Sequence, residues 1–125
     1  MELLTKEIRT KMPLLGSQSE KDSKDVLIVV KFFNPAGSWT WYATEGSCMM
    51  KDGTEKPLSF IDEDPAAWDK IEDIFFFGLV RGFETELGEF SYNELKSVVG
   101  PLGLGIERDI YFSGRMLSEA QERQI

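Results

Sequence analysis

The order of hydrophobic and polar residues predicts a β-sheet built around three strands. Residues 26–33 and 74–80 are almost continuously apolar and rich in branched and aromatic side chains, as in strands that are covered on both faces. In residues 38–45, successive side chains differ in type in the alternating way that is typical of a strand with two distinct faces. A turn sequence at residues 34–37 precedes this segment, which predicts an antiparallel hairpin. We expect the strand at residues 26–33 to lie in the centre of the sheet.

The second half of the chain predicts a further hairpin, a capped helix and a last strand. Residues 86–88 contain a glycine suited to a tight reversal, so the chain after it is expected to pair back on the preceding apolar strand. Ser91, with a glutamate three residues later, matches a helix N-cap. Gly100 and the proline after it predict the end of that helix. Residues 106–112 then predict a strand with Arg108 on its apolar face.

The remaining segments complete the predicted fold class. Apolar residues at helical spacing predict an amphipathic helix over residues 5–12. Residues 17–25 are expected to form a polar loop, residues 46–73 a long acidic excursion with a short helix after Asp64, and residues 113–125 a frayed or loosely docked polar tail. We therefore predict a single α+β domain over all 125 residues, with an N-terminal helix and short helices on a mostly antiparallel sheet of four to five strands.

Negative charge is concentrated in one part of the chain. The formal net charge of −8 arises within residues 62–94, where ten acidic residues accompany two basic ones. Such a surface disfavours duplex DNA, which proteins bind through lysine and arginine, and favours a partner with a basic surface. The residues expected to form the acidic surface are Asp62, Glu63, Asp64, Asp69, Glu72, Asp73, Glu84, Glu86 and Glu89.

The residue types that most often carry catalysis are scarce. There is no histidine, which excludes histidine-dependent triads and most zinc sites. Cys48 is the single cysteine, and neither the glycines nor the acidic residues match a nucleotide-binding or EF-hand pattern. We expect no cofactor, no metal and no enzymatic activity. The apolar runs are too short for a membrane span and the N-terminus lacks a signal peptide, which predicts a cytoplasmic protein.

Six further residues are candidates for binding because of their type and position. They are Trp39, Trp41, Glu45, Arg81, Arg108 and Asp109. The tryptophans suit stacking on bases or contact with a partner, although tryptophans in a strand are more often core residues. Each arginine falls within an apolar strand, where a guanidinium needs an acceptor. We expect an ion pair with Glu45, Asp109 or Glu107, and an anion-binding pocket is the alternative.

Several short phrases of the sequence occur in an order typical of one family. They are PLLGSQ at 13–18, VKFFNP at 30–35, SWTWYATE at 38–45, FFGLV at 76–80, ELGEFS at 86–91, GPLGL at 100–104 and IERD at 106–109. Together they resemble the bacterial family called domain of unknown function 2958 over most of residues 3–112. Residues 48–73 look longer than the usual link of that family. The resemblance implies cargo of plasmids and conjugative transposons, and it implies no catalytic residue.

These observations favour one functional hypothesis over two others. The first is a non-enzymatic accessory protein that binds a protein partner with a basic surface, with mimicry of DNA phosphates to evade host defence as one version. The second is a single-stranded nucleic-acid-binding protein that uses Trp39, Trp41 and the arginines. The third is a small enzyme that acts through carboxylates and arginine.

Overall fold

A computed structural model describes residues 1–100 and 103–125. Within these residues, five short α-helices accompany an antiparallel sheet of six strands. The fold is therefore α+β, as predicted, with a sheet that exceeds the expected four to five strands. The elements in chain order are α1 (Lys6–Lys11), β1 (Val30–Phe33), β2 (Thr40–Met50), β3 (Glu55–Pro57), α2 (Phe60–Glu63), α3 (Ala67–Lys70), β4 (Ile71–Arg81), β5 (Thr85–Ser91), α4 (Tyr92–Ser97), β6 (Glu107–Arg108) and α5 (Leu117–Glu122).

The two longest strands, β2 and β4, form the centre of the sheet. The strand order is β5–β4–β2–β1–β6, and β3 pairs with the second half of β2. The strand predicted over residues 26–33 is present but shorter, because continuous pairing begins only at Val30, and it lies between β2 and the two-residue β6. Before it, Leu27 makes an isolated bridge to Met116, and Val26 and Ile28 pack against α5. The apolar run thus serves helix packing as well as the sheet.

The two faces of the sheet are covered by different elements. On the first, which we call the main face, Phe32, Trp41 and Phe76 pack with Ile8 of α1 and Leu95 of α4. On the other, which we call the second face, a smaller apolar cluster lies beneath α5. The members of that cluster are Val26, Ile28, Tyr42, Leu79, Leu117 and Ala120. Because both faces are covered, β4 carries an apolar run over residues 74–80 without alternation of polar residues.

The C-terminal segment is docked on the sheet rather than frayed. Leu117 and Ala120 of α5 are buried against the second face. The Lys31 ammonium and the Tyr42 hydroxyl donate hydrogen bonds of 2.7 and 3.1 Å to the main-chain oxygen of Ile125. Of the two expected states, the segment is therefore docked and not frayed, held by these hydrogen bonds and by the two buried apolar residues.

The hairpin between β4 and β5 turns earlier than predicted. The reversal lies at residues 82–84, where the amide of Gly82 donates a hydrogen bond of 2.9 Å to the carbonyl of Glu84. Residues 86–88 are inside β5, and Gly88 stands directly opposite Gly78 of β4. A Cβ at Gly78 would lie 1.7 Å from the carbonyl oxygen of Tyr42. Close approach of β4 to β2 therefore accounts for the glycine at position 78, whereas a Cβ at Gly88 would meet nothing within 4 Å.

The region predicted as a long excursion contains regular structure. Strand β2 continues to Met50, and a turn with Gly53 at a φ of 88° leads into β3. Asp64 accepts a hydrogen bond of 2.9 Å from the amide of Ala66, and α3 begins at Ala67. The short helix after Asp64 is thus present.

The N-cap of α4 is confirmed, whereas the strand after this helix is much shorter than predicted. The Ser91 hydroxyl accepts a hydrogen bond of 3.1 Å from the amide of Glu94. The helix ends at Ser97, before Gly100, and Pro101 lies outside the described residues. Of residues 106–112, only β6 pairs with the sheet, because the chain leaves β1 after two residues.

Candidate functional site

The turn between β4 and β5 presents an aromatic side chain to solvent. Phe83 is 96% exposed, and its ring lies edge-on to that of Trp39 at a centroid distance of 5.4 Å. Trp39 in turn lies 5.9 Å from Trp41, which is buried in the main core. A Cβ at Gly82 would come within 2.4 Å of the indole of Trp39. The glycine therefore allows Trp39 to pack under the turn and to support Phe83.

Carboxylates flank this aromatic pair. Glu84 and Glu86 are exposed, and neither forms an ion pair in the part of the chain that the structure describes. Together with Val80 they line a shallow recess of about 240 Å³ beneath Phe83. We call this surface the tip patch; its members are Trp39, Val80, Phe83, Glu84 and Glu86. It joins an exposed aromatic ring to two carboxylates that no cation neutralises.

Arg81 holds α5 and does not form the predicted ion pair. Its guanidinium donates to the carbonyl oxygen of Ala120 and, at 3.4 Å, to the hydroxyl of Thr85. The Nε atom is buried without a partner among the described residues. The acceptor that a guanidinium needs in an apolar strand is thus mainly a helix carbonyl. Arg81 supports the docking of α5 on the second face.

Arg108 and Asp109 lie apart from Arg81 and have separate partners. The Nε of Arg108 donates a hydrogen bond of 3.2 Å to the carbonyl of Glu2, and the side chain is only partly buried. Asp109 forms an ion pair of 3.3 Å with Lys31. The expected pair between Arg108 and Glu45 is wrong, because the short β6 does not carry Arg108 into the core.

Glu45 reaches the second face through a β-bulge in β2. The pairing with β4 shifts between Ala43 and Glu45, so that Thr44 and Glu45 both line a recess on the second face. Glu45 is 4% exposed and accepts hydrogen bonds of 3.1 and 2.7 Å from the amides of Gly16 and Gln18. Glu45 thus holds the loop after α1 against the sheet.

The predicted acidic surface is divided between the two ends of β4. Asp69 and Glu72 lie at the start of this strand, whereas Glu84 and Glu86 follow its end. Because Glu86 stands opposite Val80, eight residues after Glu72, the strand separates these two glutamates by roughly 26 Å. The carboxylates thus form two surfaces and not one.

Several other acidic side chains have partners within the protein. The guanidinium of Arg9 binds Asp62 at 2.7 Å, and the ammonium of Lys70 binds Asp64 at 2.7 Å. These hydrogen bonds, and the positive charges behind them, lower the pKa of each aspartate below its ordinary value. Asp73 accepts hydrogen bonds from the amide of Ile74 in β4 and from the amide of Asn93 in the first turn of α4. The side chains of these three aspartates are thus engaged in hydrogen bonds or ion pairs within the protein.

The described residues contain little that suits catalysis. Among them, no group of three or more cysteine, aspartate or glutamate side chains is arranged to hold a metal ion. Burial raises the pKa of Cys48 to about 11, so this thiol is not a thiolate nucleophile at neutral pH. No helix in residues 1–100 and 103–125 has the length and apolar character needed to cross a membrane.

The tip patch joins three predicted site residues to one that the sequence interpretation missed. Trp39 and the two glutamates were expected to bind, but Phe83 was not, since the turn was placed at residues 86–88. A local signal was present: Phe83 is the only aromatic residue of the polar run RGFETE, between two strands. Trp41, also expected to bind, lies in the main core and is 8% exposed.

Comparison with known proteins identifies the family of this chain but assigns no function to it. The family model described as "Protein of unknown function (DUF2958)" matches residues 3–54 and 66–121. The interval between them, residues 55–65, contains β3 and α2 and falls within the region expected to be longer than in the family. No curated protein and no solved structure gives a significant match. Because the matched residues make up most of the chain, the protein belongs to the DUF2958 family of proteins of unknown function.

Proposed function

We propose that this protein is a non-enzymatic interaction protein of the cytoplasm that binds a basic protein surface through the tip patch. The observation that carries the proposal is the exposure of Phe83, a large aromatic side chain supported by Trp39. Aromatic residues contribute most of the energy at many interfaces because they bury a large area at little cost in side-chain entropy. A ring held in place before binding meets this requirement.

The carboxylates of the tip patch define the chemistry of the partner. Glu84 and Glu86 are exposed and form no ion pair within residues 1–100 and 103–125. A partner that offers an apolar notch for Phe83, bordered by lysine or arginine, matches both features. Charges at the border of an interface mainly increase the association rate and fix the orientation of the partner. Binding should therefore weaken as the salt concentration rises.

Mimicry of DNA phosphates against a host defence enzyme is a finer version of the same proposal. It would use the carboxylates at the start of β4, such as Glu72, together with those of the tip patch. Competition tests this version: duplex DNA should displace the protein from its partner. If duplex DNA displaces the Glu72→Gln variant from the partner as readily as it displaces the wild type, the contact with the partner is limited to the tip patch.

The other two hypotheses find less support in the positions of the side chains. A platform for single-stranded nucleic acid needs exposed rings beside cations, but Trp41 is buried and Arg81 is bound to α5. An enzyme based on carboxylates and arginine needs both at one place. Arg108 lies at the opposite edge of the sheet from the tip patch, beside β1.

Affinity capture with matched variants tests the proposal. The immobilised protein, Phe83→Ala and the double variant Glu84→Gln/Glu86→Gln are incubated with a bacterial lysate, with Tyr111→Ala as control because Tyr111 is 90% exposed outside the patch. A genuine partner is retained by the wild type and the control. The purified partner should bind Phe83→Ala about 30-fold more weakly, as for a hot spot worth about 2 kcal/mol. Equal binding to Phe83→Ala and the wild type would overturn the proposal.

A further inference from the structure

The second face of the sheet contains a recess that is separate from the tip patch. Its volume is about 410 Å³, which is within the range of sites for small organic ligands. The loop after α1 forms one wall, and α5 with the chain before β1 forms another. The apolar lining consists of Leu15, Val26, Phe77, Leu87 and Leu117.

One buried carboxylate lies in this apolar lining. The bulge in β2 directs Glu45 into the recess, where the side chain is only 4% exposed. Each oxygen accepts one amide hydrogen bond, from Gly16 or Gln18. A carboxylate offers about four acceptor positions, so about half of them remain for a ligand.

The charge of Glu45 has no counter-ion among the described residues. Buried charges in proteins are normally paired with an opposite charge, because removal from water is costly. Lys21 also lines the recess, but it is exposed and forms no ion pair with Glu45. A further carboxylate, that of Glu89, lies on the lining and is exposed. The charged groups facing the recess are therefore two carboxylates and one solvated ammonium.

We propose that the recess binds a small amphipathic amine. Its ammonium group donates hydrogen bonds to the remaining acceptor positions of Glu45, and its aromatic or branched body lies against Phe77, Leu87 and their apolar neighbours. Charge-assisted hydrogen bonds are roughly twice as strong as neutral ones, so a cation is preferred over a neutral ligand of equal size. This site is independent of the tip patch, since the recess contains none of its residues.

Three probes of equal shape and different charge test the chemical class. Phenethylammonium, phenethyl alcohol and phenylacetate are titrated into isotope-labelled protein, and the amide signals of Gly16 and Gln18 are followed by NMR. Saturable shifts are expected with phenethylammonium. The alcohol should bind about tenfold more weakly, which corresponds to about 1.4 kcal/mol, and phenylacetate more weakly still. Equal affinity for the amine and the alcohol, or no saturable shift with the amine, would overturn the proposal.

Substitutions separate binding in the recess from binding elsewhere. Leu87→Trp fills the recess at a residue that is 45% exposed, and Leu14→Trp adds the same ring at a residue that is 43% exposed and does not line the recess. Leu87→Trp should abolish the shifts and Leu14→Trp should preserve them. Gln121→Trp, at an exposed position on α5 that also lines the recess, is a second blocking variant. Amine binding that survives both blocking variants would place the ligand outside the recess and refute the proposal.

Discussion

The centre and the tip of β4 use the same residue types for opposite purposes. In the centre, Phe76 is fully buried between Phe32 and Phe90. Seven residues later, Phe83 is almost fully exposed beside carboxylates that form no ion pair among the described residues. The difference is in what surrounds each ring: helices cover the main face, whereas the ring of Phe83 lies against Trp39 at an exposed turn. An aromatic residue in this hairpin thus stabilises the fold at one end and is available to a partner at the other.

Truncation of the two phenylalanines gives the largest contrast. Phe76→Ala should lower the free energy of unfolding by about 3–5 kcal/mol, because it leaves a cavity in the main core. Phe83→Ala should change it by less than about 0.5 kcal/mol, as is usual for an exposed side chain. Chemical denaturation of both variants measures these changes. A large loss of stability in Phe83→Ala would show that the tip is structural and would remove the contrast.

Two facing glycines test the close packing of the centre. Gly78→Ala should destabilise the protein by about 3 kcal/mol, the upper end for an overpacked site, because the new Cβ would meet the carbonyl oxygen of Tyr42 at 1.7 Å. Gly88→Ala is the matched control, since a Cβ there meets nothing within 4 Å. Thermal melting compares the two variants. Similar melting temperatures for both would contradict the packing described for β2 and β4.

The helix cap beside the centre should have a smaller effect. Ser91→Ala removes the hydroxyl that accepts the amide hydrogen bond of Glu94, and loss of such a cap costs about 1 kcal/mol. The variant Ser97→Ala, at the exposed end of the same helix, serves as control. Urea denaturation should show a lower midpoint for Ser91→Ala than for Ser97→Ala, and equal midpoints would argue against the cap.

Paired and unpaired carboxylates should differ in their dependence on pH. Hydrogen bonds from Arg9, with its charge, lower the pKa of Asp62 in the folded protein. Ionised Asp62 therefore stabilises the fold above the unfolded pKa of about 3.9, and this contribution is lost as the pH falls through the lower folded value. Asp62→Asn should lower the melting temperature at pH 7 and have less effect near pH 3.

Glu84 provides the control for this pH dependence, because it has no cation partner among the described residues. Glu84→Gln should leave the change in melting temperature between the two pH values unaltered. If Asp62→Asn and Glu84→Gln behaved alike, the distinction between structural and available carboxylates would be lost.

Features set by neighbouring residues in the sequence were predictable. The apolar run of β4 and the N-cap at Ser91 are local patterns, and both are present. The helix expected over residues 5–12 corresponds to α1, with Thr5 as its N-cap. Each of these depends on side chains within one or two turns of the chain.

Features set by distant contacts were not predictable. Glycine is common in turns, but Gly88 lies inside β5, opposite Gly78 of the neighbouring strand β4. No local sequence pattern shows this pairing. Helix α5 was taken for a tail because it buries only Leu117 and Ala120. Glu45 was expected to bind a guanidinium, yet its partners are amides of a loop 27 and 29 residues earlier in the chain.

Cross-linking from the tip tests most directly whether this surface binds a partner. Phe83 is replaced by the photoreactive residue p-benzoylphenylalanine, and Tyr111 is replaced in the same way as the exposed control. On irradiation in cells, position 83 should form one dominant adduct, and mass spectrometry should map it to a peptide rich in lysine and arginine. Position 111 should not form this adduct. Cross-links of equal yield from both positions, or a position 83 adduct on an acidic peptide, would contradict the assignment of the tip patch.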